Sequence, residues 1–220
     1  MTITLGGGIL SGCSGPLSTM DPAGPSAEAI NSLWWVMLAG ATAIFLLVTA
    51  LLTMAFLRQG DGSTSARKWI IGGGLVFPST VLLALLAYGL IIGERLLPRS
   101  GPQVVEVGAE SSRWRWTFHH QRPDGSILTT PDVLHIPAGR PIDVVLTTRD
   151  VIHAFWVPRL AGKMDAIPGH RNVLRIEAAA PGTYAGICAE YCGIGHAGHA
   201  FRVVVHDDAG WSGFLTGESS

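Results

Sequence analysis

The sequence predicts a two-helix transmembrane hairpin followed by an all-β sandwich. Charged residues make up only 14% of the 220 residues, and the mean hydropathy is +0.36. The apolar residues are concentrated in two runs without a charge, at residues 33–57 and 69–93. Beyond residue 102 the texture changes to short β-branched or aromatic runs punctuated by Gly, Pro, Asp and Asn, as in a sandwich of strands. The length suits one or two small domains. A formal net charge of −1 gives no footprint for nucleic acid, so none is expected as a partner.

Residues 1–30 read as a lead-in rich in Gly, Pro and Ser. Leu10-Ser11-Gly12-Cys13 has the form of a bacterial lipobox, which would make Cys13 a lipidation site. No Lys or Arg precedes it, unlike the basic start of an ordinary signal peptide, so lipidation and an accidental match both stay open. Each of the two uncharged runs is about 25 residues long, enough at 1.5 Å per residue to span a ~30 Å hydrocarbon core. Trp34 and Trp35 stand where interfacial aromatics are expected. Pro78 and Gly72-Gly73-Gly74 lie within the second run and are tolerable in a membrane helix. A buried hairpin in a soluble core is the alternative, and the two lengths argue against it. The hairpin takes in residues 31–95. Its connecting loop, residues 58–68, carries Arg58, Arg67 and Lys68 against Asp61, which places it in the cytoplasm and both termini outside.

Seven strands are expected, at residues 104–107, 114–118, 133–136, 142–147, 172–177, 182–187 and 200–206, paired antiparallel in a domain of residues 103–208. His135 to Gly139 and Ala180-Pro181-Gly182 read as inter-strand turns. Residues 209–220 read as a loose polar tail.

The whole chain is organised around residues 187–201, ICAEYCGIGHAGHAF. Cys188, Cys192, His196 and His199 form C-x-x-x-C-x-x-x-H-x-x-H, with Glu190 between the thiols. Thiolate with imidazole selects copper, zinc or iron over magnesium or calcium. A disulfide between the cysteines is the plainer reading for an exported domain, but two histidines at ligand spacing favour a metal. Structural zinc sites usually use C-x-x-C, so the longer spacing weighs against zinc. His153, ending a strand-like segment, is a further candidate, since a Greek-key return brings a strand end beside a loop at the same pole. Trp114 and Trp116 are expected on one strand face. Trp116 is the likelier core residue, and Trp114 reads equally as core or as a functional group. His119 and His120 are expected at a solvated strand end. His170 and Met164 are expected not to be ligands.

Together the hairpin, the W-x-W of Trp114-Arg115-Trp116, the segment DVIHAFWVPRLAGKMDAIPG and the loop CAEYCGIGH resemble subunit II of haem–copper cytochrome c oxidases, over residues 31–206. The resemblance implies an all-β cupredoxin-like Greek-key sandwich holding a dinuclear copper centre, CuA. Cys188 and Cys192 would bridge the two coppers, His153 and His196 would each bind one, and the Glu190 carbonyl would be a weak ligand. The Glu190 side chain would help hold magnesium at the contact with subunit I. Trp114 would receive electrons from cytochrome c and pass them toward the haem of subunit I, in a bacterial inner membrane with the copper domain on the periplasmic side. The chain has no haem motif and no oxygen-reducing site of its own, so it would act as a subunit of the proton-translocating oxidase. A membrane-anchored copper carrier and a quinol oxidase subunit are the competing functions. The carrier lacks the Met-rich ligands that delivery favours, and quinol oxidase subunits have lost the copper ligands retained here. The sequence departs from the family twice: no acid stands near Ile71, where many members have a glutamate, and His199 replaces the axial methionine.

Overall fold

The computed structural model describes residues 13–57, 65–99, 101 and 104–217. The lipobox residues before Cys13, most of the connecting loop, and residues 103 and 218–220 lie outside this set. The chain divides into two units, Ser32–Leu96 and the remainder.

The first unit holds two helices that are each long and apolar enough to cross a membrane, α1 (Pro25–Leu57) and α2 (Ala66–Leu96). Their apolar side chains face outward, among them Trp35, Phe45, Val48, Phe56, Ile70, Leu82 and Leu90. A helix apolar on its exposed surface lacks the polar stripe of a soluble helix and suits a hydrocarbon solvent. In α2, Trp69–Val76 is a π-helix that ends two residues before Pro78. Pro78 has no N–H to donate and its ring crowds the preceding turn, and the wider π turn leaves room for it.

The start of α1 belongs to the other unit, and its approach is docked rather than loose. Ala23 N–H donates to Arg159 O at 2.7 Å, Ala179 N–H to Ala23 O at 2.9 Å, and Ala27 N–H to Leu160 O at 3.2 Å. The Arg159 guanidinium grips both the carbonyl and the carboxylate of Asp21. Residues 21–27 thus form a strap on the sandwich.

The sandwich has ten strands: β1 (Val105–Ser112), β2 (Arg115–Gln121), β3 (Ile127–Pro131), β4 (Val133–Pro137), β5 (Ile142–Thr148), β6 (His153–Trp156), β7 (Met164–Ala166), β8 (Asn172–Ile176), β9 (Gly182–Cys188) and β10 (Ala200–His206). One sheet runs β3-β2-β1-β5-β8 and the other β4-β10-β9-β6-β7. The chain switches sheets repeatedly, as in a Greek-key sandwich. The expected antiparallel pairing is corrected at two places: β1 lies parallel to β5 and β4 parallel to β10. Alternation of side chains reports which face is buried, not the direction of the neighbour. The inward faces pack Trp116, Phe118, Phe155 and Phe201, with Leu134, Ile136, Ile142, Leu146 and Val203, into one core. Phe155 stacks on Phe201 at 4.7 Å.

The C-terminal segment is also corrected. Asp208–Thr216 is helical (α3), and the Asp207 carboxylate caps it by accepting from Gly210 N–H at 2.7 Å. Trp211 is buried, and the Phe214 ring stacks on His135 with centroids 4.0 Å apart. His120 lies beneath this helix, 1% exposed, because inward alternation on β2 carries it into the sandwich rather than to solvent. Its Nε2 accepts from His135 N–H at 3.1 Å, and His135 Nδ1 and His206 Nε2 share a proton at 2.8 Å. Burial, then the neighbouring His135, holds His120 down at about 4. Burial, then His206, holds His135 at about 4, and burial lowers His206.

These histidines are neutral in the folded chain where an unfolded chain takes up protons, near pH 6.5. With folded pKa values depressed, the unfolded state binds more protons between about 4 and 6.5. Stability is therefore kept above that window and lost as pH falls through it. The melting temperature of the metal-free chain is expected to drop between about pH 7 and pH 4.5, less steeply in His206→Gln. A level Tm in the wild type over that range would contradict the burial of this cluster.

Candidate metal centre

The centre is built on one hairpin and one strand start. β9 ends at Cys188 and β10 begins at Ala200. Cys188 N–H donates to His199 O at 2.9 Å, which closes the neck of the loop between them. In the next strand of that sheet, Phe155 pairs with Cys188, bringing His153 alongside. His153 opens β6, where the sequence pattern put it at the end of a strand.

Buried His153, Cys188, Cys192 and His199 bring one donor atom each within 4.8 Å of one another. The two sulfurs are 3.9 Å apart and both cysteines are free, which sets aside the disulfide. His153 Nδ1 is 3.7 Å from Cys188 Sγ, and the Glu190 carbonyl is 3.3 Å from the same sulfur. His196 Nδ1 and His199 Nδ1 are each 3.6 Å from Cys192 Sγ. His196 is half-buried at the rim and His199 fully buried. The donors therefore divide in two: one imidazole and a carbonyl on the Cys188 side, two imidazoles on the Cys192 side. Two soft sulfurs with three imidazoles suit copper. The Glu190 carboxylate turns away to Lys163 Nζ at 3.6 Å. His170 is exposed and Met164 packs against the core, and neither joins the cluster.

Electrostatics favour a cation here. Burial, then the neighbouring Cys188, pushes the Cys192 thiol up to about 11, and a bound cation would favour its thiolate. Burial, then His153, holds His199 at about 4, leaving it neutral with a lone pair to offer.

Asp150 was not legible as a site residue, although D-x-x-H is an i, i+3 signal. Its Oδ1 lies 2.8 Å from His153 Nε2. Burial opposes its charge, but His153 and the N–H groups of Val151 and Arg113 hold its carboxyl well below the usual range. An ionised carboxylate only accepts, so His153 Nε2 carries a proton and the ring turns Nδ1 toward the sulfurs.

The two tryptophans do not share a face, contrary to the alternation argument. β2 begins at Arg115, so Trp114 lies in the turn before it, 42% exposed, while Trp116 is fully buried. Trp116 stacks on His199 at 5.6 Å and meets His153 edge-on at 6.4 Å. Trp114 lies on the ligand loop: a Cβ at Gly195 would fall 2.3 Å from its ring, and one at Gly193 3.4 Å. Only glycine lets the indole lie this close. Ile194, between them, is 97% exposed.

Residues 118–207 match the family model described as cytochrome c oxidase subunit II, periplasmic domain. The chain is 29% identical over 227 residues to cytochrome c oxidase subunit 2 of Alkalihalophilus pseudofirmus, covering 96% of this chain and 65% of that one. It is 42% identical over 103 residues to cytochrome c oxidase subunit 2 of Thermostichus vulcanus, covering 47% and 29%. The chain thus spans less than two thirds of the length of these relatives. Among solved structures, the periplasmic domain of subunit II of cytochrome oxidase of Bradyrhizobium japonicum aligns with 57% of this chain and 100% of its own, at 26% identity and a TM-score of 0.48.

The glycine contact yields a test. Gly195→Ala is expected to lift the Trp114 ring off the loop and raise the acrylamide-quenchable share of tryptophan emission. The same change in a Trp114→Phe background should have no such effect. Unchanged quenching in Gly195→Ala would show that the indole does not rest there.

Proposed function

We propose that this chain, whose residues 118–207 match the model for the periplasmic domain of cytochrome c oxidase subunit II, is the electron-accepting subunit of a terminal respiratory oxidase. The observation that carries the reading is the buried convergence of His153, Cys188, Cys192 and His199 beneath a tryptophan open to solvent. Cys188, Cys192, His153, His196 and His199, with the Glu190 carbonyl, would hold a dinuclear copper centre, CuA, which supplies one-electron redox chemistry when bound. The rest of the work falls to the protein. Trp114 offers a conjugated ring at the surface, in contact with the ligand loop, to a docked cytochrome c. Trp116, Phe155 and Phe201 keep water from the donors and hold them still, so that a change of oxidation state moves few atoms. Electrons would leave toward the haem of subunit I. The Glu190 carboxylate, now paired with Lys163, is the group that would contribute to a magnesium site shared with subunit I.

Two apolar helices and an outer domain of this family fit a membrane protein. The basic residues of 58–68 support a cytoplasmic loop and a periplasmic sandwich, in a bacterial inner membrane. Cys13 is exposed with a free thiol, compatible with lipidation at that residue.

His199 is the departure with chemical consequence. Its Nδ1 is as close to Cys192 as that of His196, and it is the better buried of the two. An imidazole is a stronger donor to Cu(II) than the thioether of the family, so the two halves of the centre would be unequal and its potential lower.

The purified full chain, reconstituted with copper, is expected to bind about two ions per chain with thiolate-to-copper absorption. Cys188→Ser should reduce this to one or none, and retention of both ions in that variant would remove Cys188 as a ligand; a wild-type chain that binds only one ion would remove the dinuclear reading. In paramagnetic resonance, His199→Met should share the unpaired electron more evenly between the coppers and raise the potential. Identical spectra for wild type and variant would exclude His199 as a ligand.

Trp114→Phe should leave the copper content intact and slow reduction by cytochrome c by at least about tenfold. An unchanged rate would take Trp114 off the path.

A further inference from the structure

The turn between β5 and β6 contains a carboxylate with two separate tasks. Asp150 Oδ1 accepts from His153 Nε2 at 2.8 Å and from Val151 N–H at 2.7 Å. Asp150 Oδ2 accepts from Arg113 N–H at 2.9 Å. Arg113 immediately precedes Trp114, in the turn between β1 and β2. A second tether joins the same two turns, Arg149 N–H to Ser111 O at 3.1 Å. The turn also has its own internal support: Thr148 Oγ1 donates to Val151 O at 2.9 Å. The carboxylate therefore does more than cap its turn. It reaches across 37 residues of chain to hold the backbone beside Trp114, while its other oxygen fixes the ring of a copper ligand.

We propose that Asp150 is a positioning residue for electron acceptance, a single carboxylate that orients the His153 ring toward the thiols and anchors the turn carrying Trp114. This rests on the copper and Trp114 reading above. The geometry makes the two ends of the path mutually dependent. The ring of His153 cannot rotate without losing the Oδ1 contact, and the Trp114 turn cannot drift without losing Oδ2. The route Arg113 N–H, Asp150, His153 Nε2 is also a hydrogen-bonded connection from the backbone of the residue before Trp114 to the ring of His153. It is additional to the contact of the indole with Gly193 and Gly195. Outer partners of ligating histidines set the tautomer and ring orientation, and their loss typically costs about 10–100-fold in affinity or activity.

The test compares Asp150→Asn, Asp150→Ala and Thr148→Val in the full chain in detergent. In the metal-free chain labelled with 15N-histidine, wild-type His153 should show a single tautomer protonated at Nε2. Asp150→Ala should show a mixture with the Nδ1-protonated form. Thr148→Val, which removes only the longest contact to the carboxylate, Thr148 Oγ1 to Asp150 Oδ1 at 3.4 Å, and leaves the bonds to His153, Val151 and Arg113, should keep the wild-type tautomer. After copper loading, Asp150→Ala should accept electrons from reduced cytochrome c about tenfold or more slowly, with a shifted potential and an altered hyperfine pattern. Asp150→Asn has one acceptor oxygen where aspartate has two for the three donors His153 Nε2, Val151 N–H and Arg113 N–H, so it should keep one tether and fall between the two. It has the shape of aspartate and carries the test if the alanine variant does not fold. The proposal is overturned if the Asp150 variants keep the wild-type tautomer, potential and rate, or if Thr148→Val changes them as much. Copper content, measured in every sample, separates this from the underlying reading: a wild-type chain that binds no copper defeats the function itself, whereas normal copper with unchanged spectra in the Asp150 variants defeats only the role of Asp150.

Discussion

Two thiols held side by side in a buried pocket are the constraint on which the sandwich turns. At 3.9 Å the sulfurs are close enough to share a metal and too far apart for a disulfide bond of ~2 Å. Burial raises the cost of ionising Cys192, and a bound cation offsets that cost by favouring the thiolate. The architecture answers that requirement. The closed neck of the β9–β10 hairpin sets the loop, the β6–β9 pairing brings His153 to Cys188, and Trp116 walls the cluster with its ring against both His199 and His153.

The centre is lopsided because the loop is. Its C-x-x-x-C-x-x-x-H-x-x-H spacing puts two imidazoles on the later cysteine, leaving the earlier one a carbonyl from within the loop and one imidazole from another strand. The two tryptophans show a similar division of labour. Two residues apart in sequence, they fall on either side of a turn boundary, so one wets its ring at the surface and the other is sealed against the donors.

Much of this was legible in the sequence. Two charge-free runs of membrane length, a loop dense in soft donors and the W-x-W pattern are local signals, and the helices, the cluster and the buried Trp116 follow them. What escaped depends on long-range pairing. Parallel neighbours such as β1 and β5 leave the same alternation as antiparallel ones. β7 has three residues and β3 is an exposed edge, too short or too polar to stand out. The closing helix was hidden by its low apolar content, although Asp207 at its N-cap and Trp211 and Phe214 at i, i+3 were signals. His120 was misjudged because strand alternation was not carried to its end, and Asp150 because a carboxylate shows its partners only once two turns are folded against each other.

The β4–β10 pairing has a consequence for how the protein matures. Among the described residues β10 is the last strand, and it seals the neck of the ligand loop while lying against a strand made some seventy residues earlier (Arg202 opposite Val133). A ribosome delivers His153 well before Cys188, Cys192, His196 and His199. The site therefore cannot close until β10 has been made and has docked. Loading with metal belongs after translation of this domain, not during it.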